Sequence, residues 1–184
     1  MEPAPDRRHH GTIFDQWSGE TSKVMSQFQL TKARAAEEIA AVARLFREYA
    51  DWLGIDLSFQ NFESELTNLP GKYAPPFGEL LLARSFDGVA LGCVGVRPLG
   101  GPVVCEMKRL YVRPHGRGLG IGRALVTAIL SAAKEFGYAE MKLDTLSSMQ
   151  EAIALYKQFG FAEIPAYYDN PVQGVVYLGK QLGP

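Results

Sequence analysis

The sequence predicts an α/β (α+β) domain, a sheet flanked by about four helices, and three observations carry that prediction. Apolar residues recur at helical spacing from Ile39 to Tyr49, form strand-like runs between Glu79 and Val112, and return to helical spacing from Ile121 to Phe136. Inside the strand-like region, Asp87-Gly88 and Gly100-Gly101 are two-residue turn signals of the hairpin type, so three strands should follow one another as an antiparallel meander. Beyond it, Tyr111-Val-Arg-Pro-His-Gly-Arg-Gly-Leu-Gly-Ile-Gly-Arg123 reads as a strand end, a glycine-spaced turn and the start of an amphipathic helix.

Taken in order, residues 1 to 26 are polar, with scattered aromatics (Phe14, Trp17), and are expected to be a flexible extension, leaving 27 to 184 as the domain. Met25 would serve as a natural start. His9 and His10 have no Cys or carboxylate spacing that suggests a metal site, and no metal is expected. A short strand, Phe28 to Thr31, leads into a helix that places Ile39, Val42, Ala43, Phe46 and Tyr49 on one face and ends near Gly54. A second, shorter helix is expected over Phe59 to Leu69, before the breaker-rich stretch from Pro70 to Gly78. After the meander and the glycine turn, a helix with Ile121, Leu125, Ile129, Ala132 and Phe136 on one face stops at Gly137. A strand over Tyr138 to Thr145 follows. Ser148 and Glu151 form a capping box ahead of a helix through Phe159, Gly160 ends it, and Val172 to Gln181 supplies a last strand.

The 184 residues suit one domain with a short extra segment, and an apolar fraction of 47% can fill a substantial core. A formal charge of −1 gives no sign of a nucleic-acid surface, so an anionic ligand would have to be met by local charge. Cys93 and Cys105 both fall inside apolar runs, which points to buried, reduced thiols in a cytoplasmic protein. No run of about 18 apolar residues is present to span a membrane, and the N-terminus lacks the apolar segment of a signal peptide.

The glycine turn is suited to phosphate. Gly116, Gly118, Gly120 and Gly122 let backbone N–H groups approach an anion, the following helix points its positive dipole end at the same spot, and Arg117 and Arg123 add full charges. A dinucleotide fingerprint does not fit, because the sixth residue counted from Gly118 is Arg123 and from Gly116 is Ile121. A nucleoside-triphosphate loop does not fit either, since no Gly-Lys-Ser/Thr follows at the required spacing.

What remains is Arg-x-x-Gly-x-Gly, read as Arg117, Gly120 and Gly122, preceded by Leu110-Tyr-Val-Arg-Pro114. About 30 residues on stands Ala152-Ile-Ala-Leu-Tyr-Lys-Gln-Phe-Gly-Phe161, with a strand between. Together these segments resemble the GNAT superfamily of N-acetyltransferases, over roughly residues 27 to 182. The resemblance implies the GNAT fold, a mixed, mostly antiparallel sheet of about six to seven strands with a splayed central pair. It implies acetyl-CoA as co-substrate, held by Arg117, Gly118, Leu119, Gly120, Ile121, Gly122 and Arg123. Its pantetheine arm would lie along the backbone of Leu110, Tyr111 and Val112. One departure is Met149, where the family often has asparagine three residues before the alanine of the second segment; the Ser147 and Ser148 hydroxyls could take over its part.

Amine acetylation needs a neutral nucleophile, and a lysine-like ammonium has a pKa near ~10, so a general base is required. By the resemblance Glu106 is that base, directly or through water. In a regular strand it would share a face with Lys108, Leu110 and Val112, and Lys108 could pair with it and make it a structural carboxylate instead. The resemblance makes Tyr156 the proton donor to the leaving thiolate, with a core tyrosine as the other reading. Cys105 alternates to the opposite face from Glu106, against a covalent route through it, and His115 reads as a solvated loop residue. The acceptor side is expected from Asp51, Trp52, Asp56 and Phe62, the Tyr73 loop and the Tyr167-Tyr-Asp-Asn-Pro171 turn, with Tyr167 and Tyr168 as its binding side chains. The implied reaction is direct transfer to a primary amine of a small or amino-acid-like molecule. A catalytically silent acyl-CoA sensor and a protein or peptide amine acetyltransferase stay open, as does a homodimer through an apolar sheet edge.

Overall fold

A computed structural model describes residues 27–183. The expected extension, with His9, His10, Phe14, Trp17 and Met25, lies outside the described residues. Seven strands form one sheet in the order β1 (Gln29–Lys32), β2 (Glu79–Arg84), β3 (Ala90–Pro98), β4 (Val104–Val112), β5 (Glu140–Leu146), β7 (Val175–Gln181) and β6 (Ala162–Glu163). All neighbours are antiparallel except β4 and β5. Helices α1 (Ala36–Leu53) and α2 (Phe62–Thr67) pack on one face, where Val42, Leu45, Phe46 and Phe62 meet Leu80, Leu82, Cys93 and Tyr111. Helices α3 (Ile121–Glu135) and α4 (Gln150–Gln158) cover the other, where Leu125, Ile129 and Tyr156 join Val94, Val96, Met107 and Leu143. Strands β2 and β3 are therefore buried on both faces, which explains their unbroken apolar runs; each fully buried leucine or valine contributes about 1.5–3 kcal/mol.

Local chemistry fixes the ends. The Glu38 carboxylate accepts from the Ala35 and Arg34 N–H groups at 3.0 and 2.8 Å, satisfying donors at the start of α1, and Gly54 ends it in the left-handed conformation. At Gly95 a Cβ would lie 2.7 Å from the Tyr73 ring, so glycine is what allows that ring to lie against β3.

Several expectations are corrected. The second helix is split into a 3₁₀ turn, Ser58–Gln60, and α2, because Asn61 between them adopts φ 56°. The Ser148/Glu151 capping box does not form: Met149 is the N-cap, without a side-chain cap, and Gln150 instead donates to the Ser147 carbonyl. The two-residue β6 was not expected; its side chains are exposed, so it has no apolar alternation to betray it.

Two features of β4 create the site. Its parallel ladder to β5 lasts only three pairs, Val104 with Glu140, Cys105 with Met141 and Glu106 with Lys142, after which the strands diverge. On its other side, Gly95 pairs with Lys108 but Cys93 pairs with Tyr111, so Arg109 and Leu110 together oppose Val94. This is a β-bulge, and Arg109 takes φ 60° there, a conformation that costs a non-glycine residue roughly 1–2 kcal/mol. The bulge reverses the side-chain phase. Glu106 and Lys108 face the α1 side, whereas Leu110 and Val112 pack with the α3 core, so the expected shared face of all four is not found.

Candidate active site

Where β4 ends, Arg113 ties it to α1 and β3: its Nε donates to Glu48 at 2.8 Å and its guanidinium to the Ala90 carbonyl at 2.7 Å. The chain then makes a 3₁₀ turn over Pro114–Gly116 and enters α3 through Gly120, which caps the helix at φ 80°. The N–H groups from Gly118 to Arg123 find no well-formed acceptor among the described residues, and no acidic side chain occupies the first turn of α3. An anion could take those donors, and the helix dipole would favour it. The two arginines flank the loop on aromatic supports. Arg117 lies over the Trp52 ring at 5.2 Å and donates to the Val112 carbonyl at 3.3 Å; Arg123 lies over Phe159 at 5.4 Å and bonds Gln158.

The divergence of β4 from β5 opens a cleft of about 640 Å³, counting solvent at its mouth. Met107 to Leu110 of β4 and Leu143 to Leu146 of β5 form its walls, with Tyr156 and Met149 from the α4 end. The connection from α1 to α2 (Leu53, Ile55, Leu57, Phe59, Gln60) and the turn before β7 (Asn170, Val172, Val175) line its other end.

A buried charge network runs behind this wall. Glu106, 2% exposed, accepts from Arg97 at 2.8–2.9 Å and from the Tyr167 hydroxyl at 2.8 Å, with the Lys108 ammonium 3.6 Å away. Lys108 in turn bonds Asp144 at 2.8 Å, and the Tyr168 hydroxyl donates to the other Asp144 oxygen at 2.9 Å. Burial acts to raise the Asp144 carboxyl, but the charge of Lys108 and the bonds from Lys108 and Tyr168 outweigh it and hold the group below the ordinary aspartate value. Arg109 forms a second unit, clasping Glu65 of α2 at 2.8 and 3.2 Å over the Phe62 ring, while the Tyr73 hydroxyl also donates to Glu65 at 2.7 Å. Burial pushes the Tyr49 hydroxyl up to about 12 and the Tyr156 hydroxyl higher still, so both stay protonated at neutral pH.

The expected site residues fall in three places. Leu110 and Tyr156 line the cleft, and Tyr111 packs beside it, its ring 5.9 Å from that of Tyr49. Arg117, Gly118, Leu119, Gly120, Ile121, Gly122 and Arg123 form the loop and helix start at its end. Glu106 and Tyr167 stand in the network behind the wall, and Tyr168 reaches the wall through Asp144. Tyr73 is a core residue, 2% exposed, that positions Glu65, and Trp52 supports Arg117. Asp51 and Asp56 do not line the cleft; Asp56 accepts from Ser58 instead. Asn170, within the expected Tyr167–Pro171 turn, does line the cleft, whereas sequence reading missed Asp144, Gln60 and the Arg109–Glu65 clasp. For Asp144 a signal existed, because Glu140, Lys142 and Asp144 alternate with Met141 and Leu143 on a strand otherwise read as core.

A sheet opened between its two parallel strands and followed by a helix start with free N–H groups is the arrangement expected of the GNAT class. Comparison with known proteins agrees. Residues 39–161 match the acetyltransferase (GNAT) family. Over 157 residues the chain is 46% identical to an N-acetyltransferase of Schizosaccharomyces pombe, described as uncharacterized, covering 85% of this chain and 96% of the relative. It is 34% identical to another so described from Dictyostelium discoideum, covering 74% of this chain and 91% of that one. In fold it superposes on a GNAT-family acetyltransferase of Staphylococcus aureus Mu50 with a TM-score of 0.70 at 19% identity, over 84% and 99% of the two chains. The chain belongs to the GNAT acetyltransferase family and is an acyltransferase.

Proposed function

We propose that this protein transfers the acetyl group of acetyl-CoA directly to a primary amine of a small molecule. The observation that carries the reading is the continuity of unpaired β4 backbone with the free N–H groups of Gly118 to Arg123, one track suited to a long chain ending in a pyrophosphate. Acetyl-CoA supplies a thioester, an acyl group already activated for attack. The loop amides and Arg117 bind the pyrophosphate, and the backbone of Leu110 and Val112 orients the arm.

Glu106 draws the proton from the acceptor amine. Because Glu106 stands behind Lys108 rather than on the cleft wall, that proton passes through an intervening water. Tyr156 lies on the wall with its hydroxyl kept protonated by burial, the state a donor to a departing sulfur must hold. A small acceptor is read into the far end of the cleft, between the α1–α2 connection and the Asn170–Val175 turn that line it.

The test is calorimetric titration of acetyl-CoA into the wild type and an Arg117→Ala/Gly120→Pro variant, followed by thiol release in the presence and absence of amines. Selective binding lost in the variant, with amine-dependent thiol release by the wild type, is expected. Binding without turnover of any amine would favour an acyl-CoA sensor, and no binding by the folded protein would refute the reading.

A further inference from the structure

Resting on the acetyltransfer reading above, we propose that the acceptor is a monoamine carried on an apolar body, without a carboxylate beside the amine and without a second charge. The first support is the lining of the acceptor end, where Leu53, Ile55, Leu57, Phe59, Val172 and Val175 offer apolar surface to whatever the amine is attached to.

The second is how the charges at the cleft are engaged. Lys108 is held between Asp144 at 2.8 Å and Glu106 at 3.6 Å, and Arg109 is clasped by Glu65 at 2.8 Å. With Arg97, three cations meet the three anions Glu65, Glu106 and Asp144, so the cluster is formally neutral. An amino-acid carboxylate entering here would have to draw Lys108 or Arg109 away and leave a buried carboxylate unpaired. A polyamine has the opposite difficulty: Asp144 is the single carboxylate on the cleft wall among the described residues, and Lys108 already neutralises it.

The third is an acceptor without a donor. Gln60 lines the acceptor end, and its Oε1 is buried with no hydrogen-bond partner among the described residues, while its Nε2 donates to the Tyr168 hydroxyl at 3.2 Å. The amide is held that way round. Tyr168 gives its only proton to Asp144 and accepts from Asn170 at 2.8 Å, so nothing there can donate to a reversed Gln60. A buried carbonyl oxygen in this position is costly until an N–H meets it, and the acceptor amine brings one. Gln60 is thereby assigned as a specificity residue that reads the amine, while the surrounding apolar side chains read its body.

The experiment compares 2-phenylethylamine with phenylalanine, which differs by the carboxylate alone, and with spermidine, following thiol release from acetyl-CoA by the full chain. Calorimetry measures acetyl-CoA binding separately. The expected kcat/KM for 2-phenylethylamine exceeds those of phenylalanine and spermidine by about 100-fold or more, the scale set by an unpaired buried charge. Gln60→Leu is expected to raise KM for 2-phenylethylamine about tenfold, the loss of one hydrogen bond to a charged or polar donor, while KM for acetyl-CoA stays put and the unfolding transition does not fall, because removing the unpaired oxygen offsets the lost bond to Tyr168. Phenylalanine or spermidine used as well as 2-phenylethylamine, or no use of the three by a protein that binds acetyl-CoA, would overturn the assignment and leave the coenzyme site standing. Failure to bind acetyl-CoA at all would instead remove the reading beneath it, and the assignment with it.

Discussion

Replacing Glu65 by leucine removes the carboxylate that holds the bulge of β4 to α2. The Glu65 and Arg109 side chains are 9% and 3% exposed, so the guanidinium left behind has little water to turn to. It keeps the Phe62 ring at 5.1 Å but loses both bonds to Glu65, and the Tyr73 hydroxyl loses its acceptor too. Breaking a buried pair from one side costs about 3–5 kcal/mol. At roughly 2–4 °C per kcal/mol for a domain of this size, Tm should fall by about 6–20 °C. Adding Arg109→Met should recover most of that loss, because an apolar replacement of both partners is nearly neutral. Thermal unfolding of the four proteins of the double-mutant cycle at pH 7 measures the coupling. Burial alone would raise the Glu65 carboxyl, yet the bonds and charge of Arg109, with Tyr73, hold it below the ordinary glutamate value. A carboxyl lowered in the folded state stabilises above its unfolded pKa of about 4.3, and that contribution is lost as pH falls through the folded value. The gap between wild type and Glu65→Leu should therefore close in acid. A Glu65→Leu protein melting within about 2 °C of wild type at pH 7, or a gap that widens in acid, would refute this account of the clasp.

Glu106→Gln should lower kcat/KM by about 10²–10⁴-fold, the usual range for a general base, with the Kd for acetyl-CoA unchanged by calorimetry. Tyr156→Phe should lower kcat by a comparable factor and leave KM for the amine nearly constant, since the hydroxyl matters only as the sulfur departs. Burial pushes the Cys105 thiol up to about 12 and the Cys93 thiol also upward, so neither should react with a disulfide reagent at pH 8 until the protein is unfolded, as thiol titration with and without denaturant would measure.

The order of elements was legible because each carried its own period. The meander, α1 with its glycine stop and α3 after the glycine turn were readable from spacing alone, and their observed ends differ by a few residues at most. The anion-ready loop was readable for a similar reason: glycines two apart before a helical pattern have few structural uses. What the sequence hid was set by tertiary contact. The left-handed Asn61 and Arg109 are not residues whose type demands that conformation, so neither the broken second helix nor the bulge announced itself. Once the bulge was missed, the face assignments downstream of it were necessarily reversed. The pairing of Glu106 with Arg97, and of Arg109 with Glu65, joins residues 9 and 44 apart, separations no local pattern encodes.

The extra residue at Arg109 also makes β4 a strand whose length is part of its meaning. Upstream of it, odd-numbered side chains such as Cys105 and Met107 belong to the α3 core; downstream, the even-numbered Leu110 and Val112 do. Deleting Arg109 would remove the strain and straighten the strand while leaving Leu110 and Val112 toward the α3 core and Tyr111 toward α1, because the extra residue alone accounts for the change of phase. What that deletion would lose is the clasp on Glu65, so the extra residue serves to tie β4 to α2 and leaves the sorting of the two hydrophobic interiors untouched.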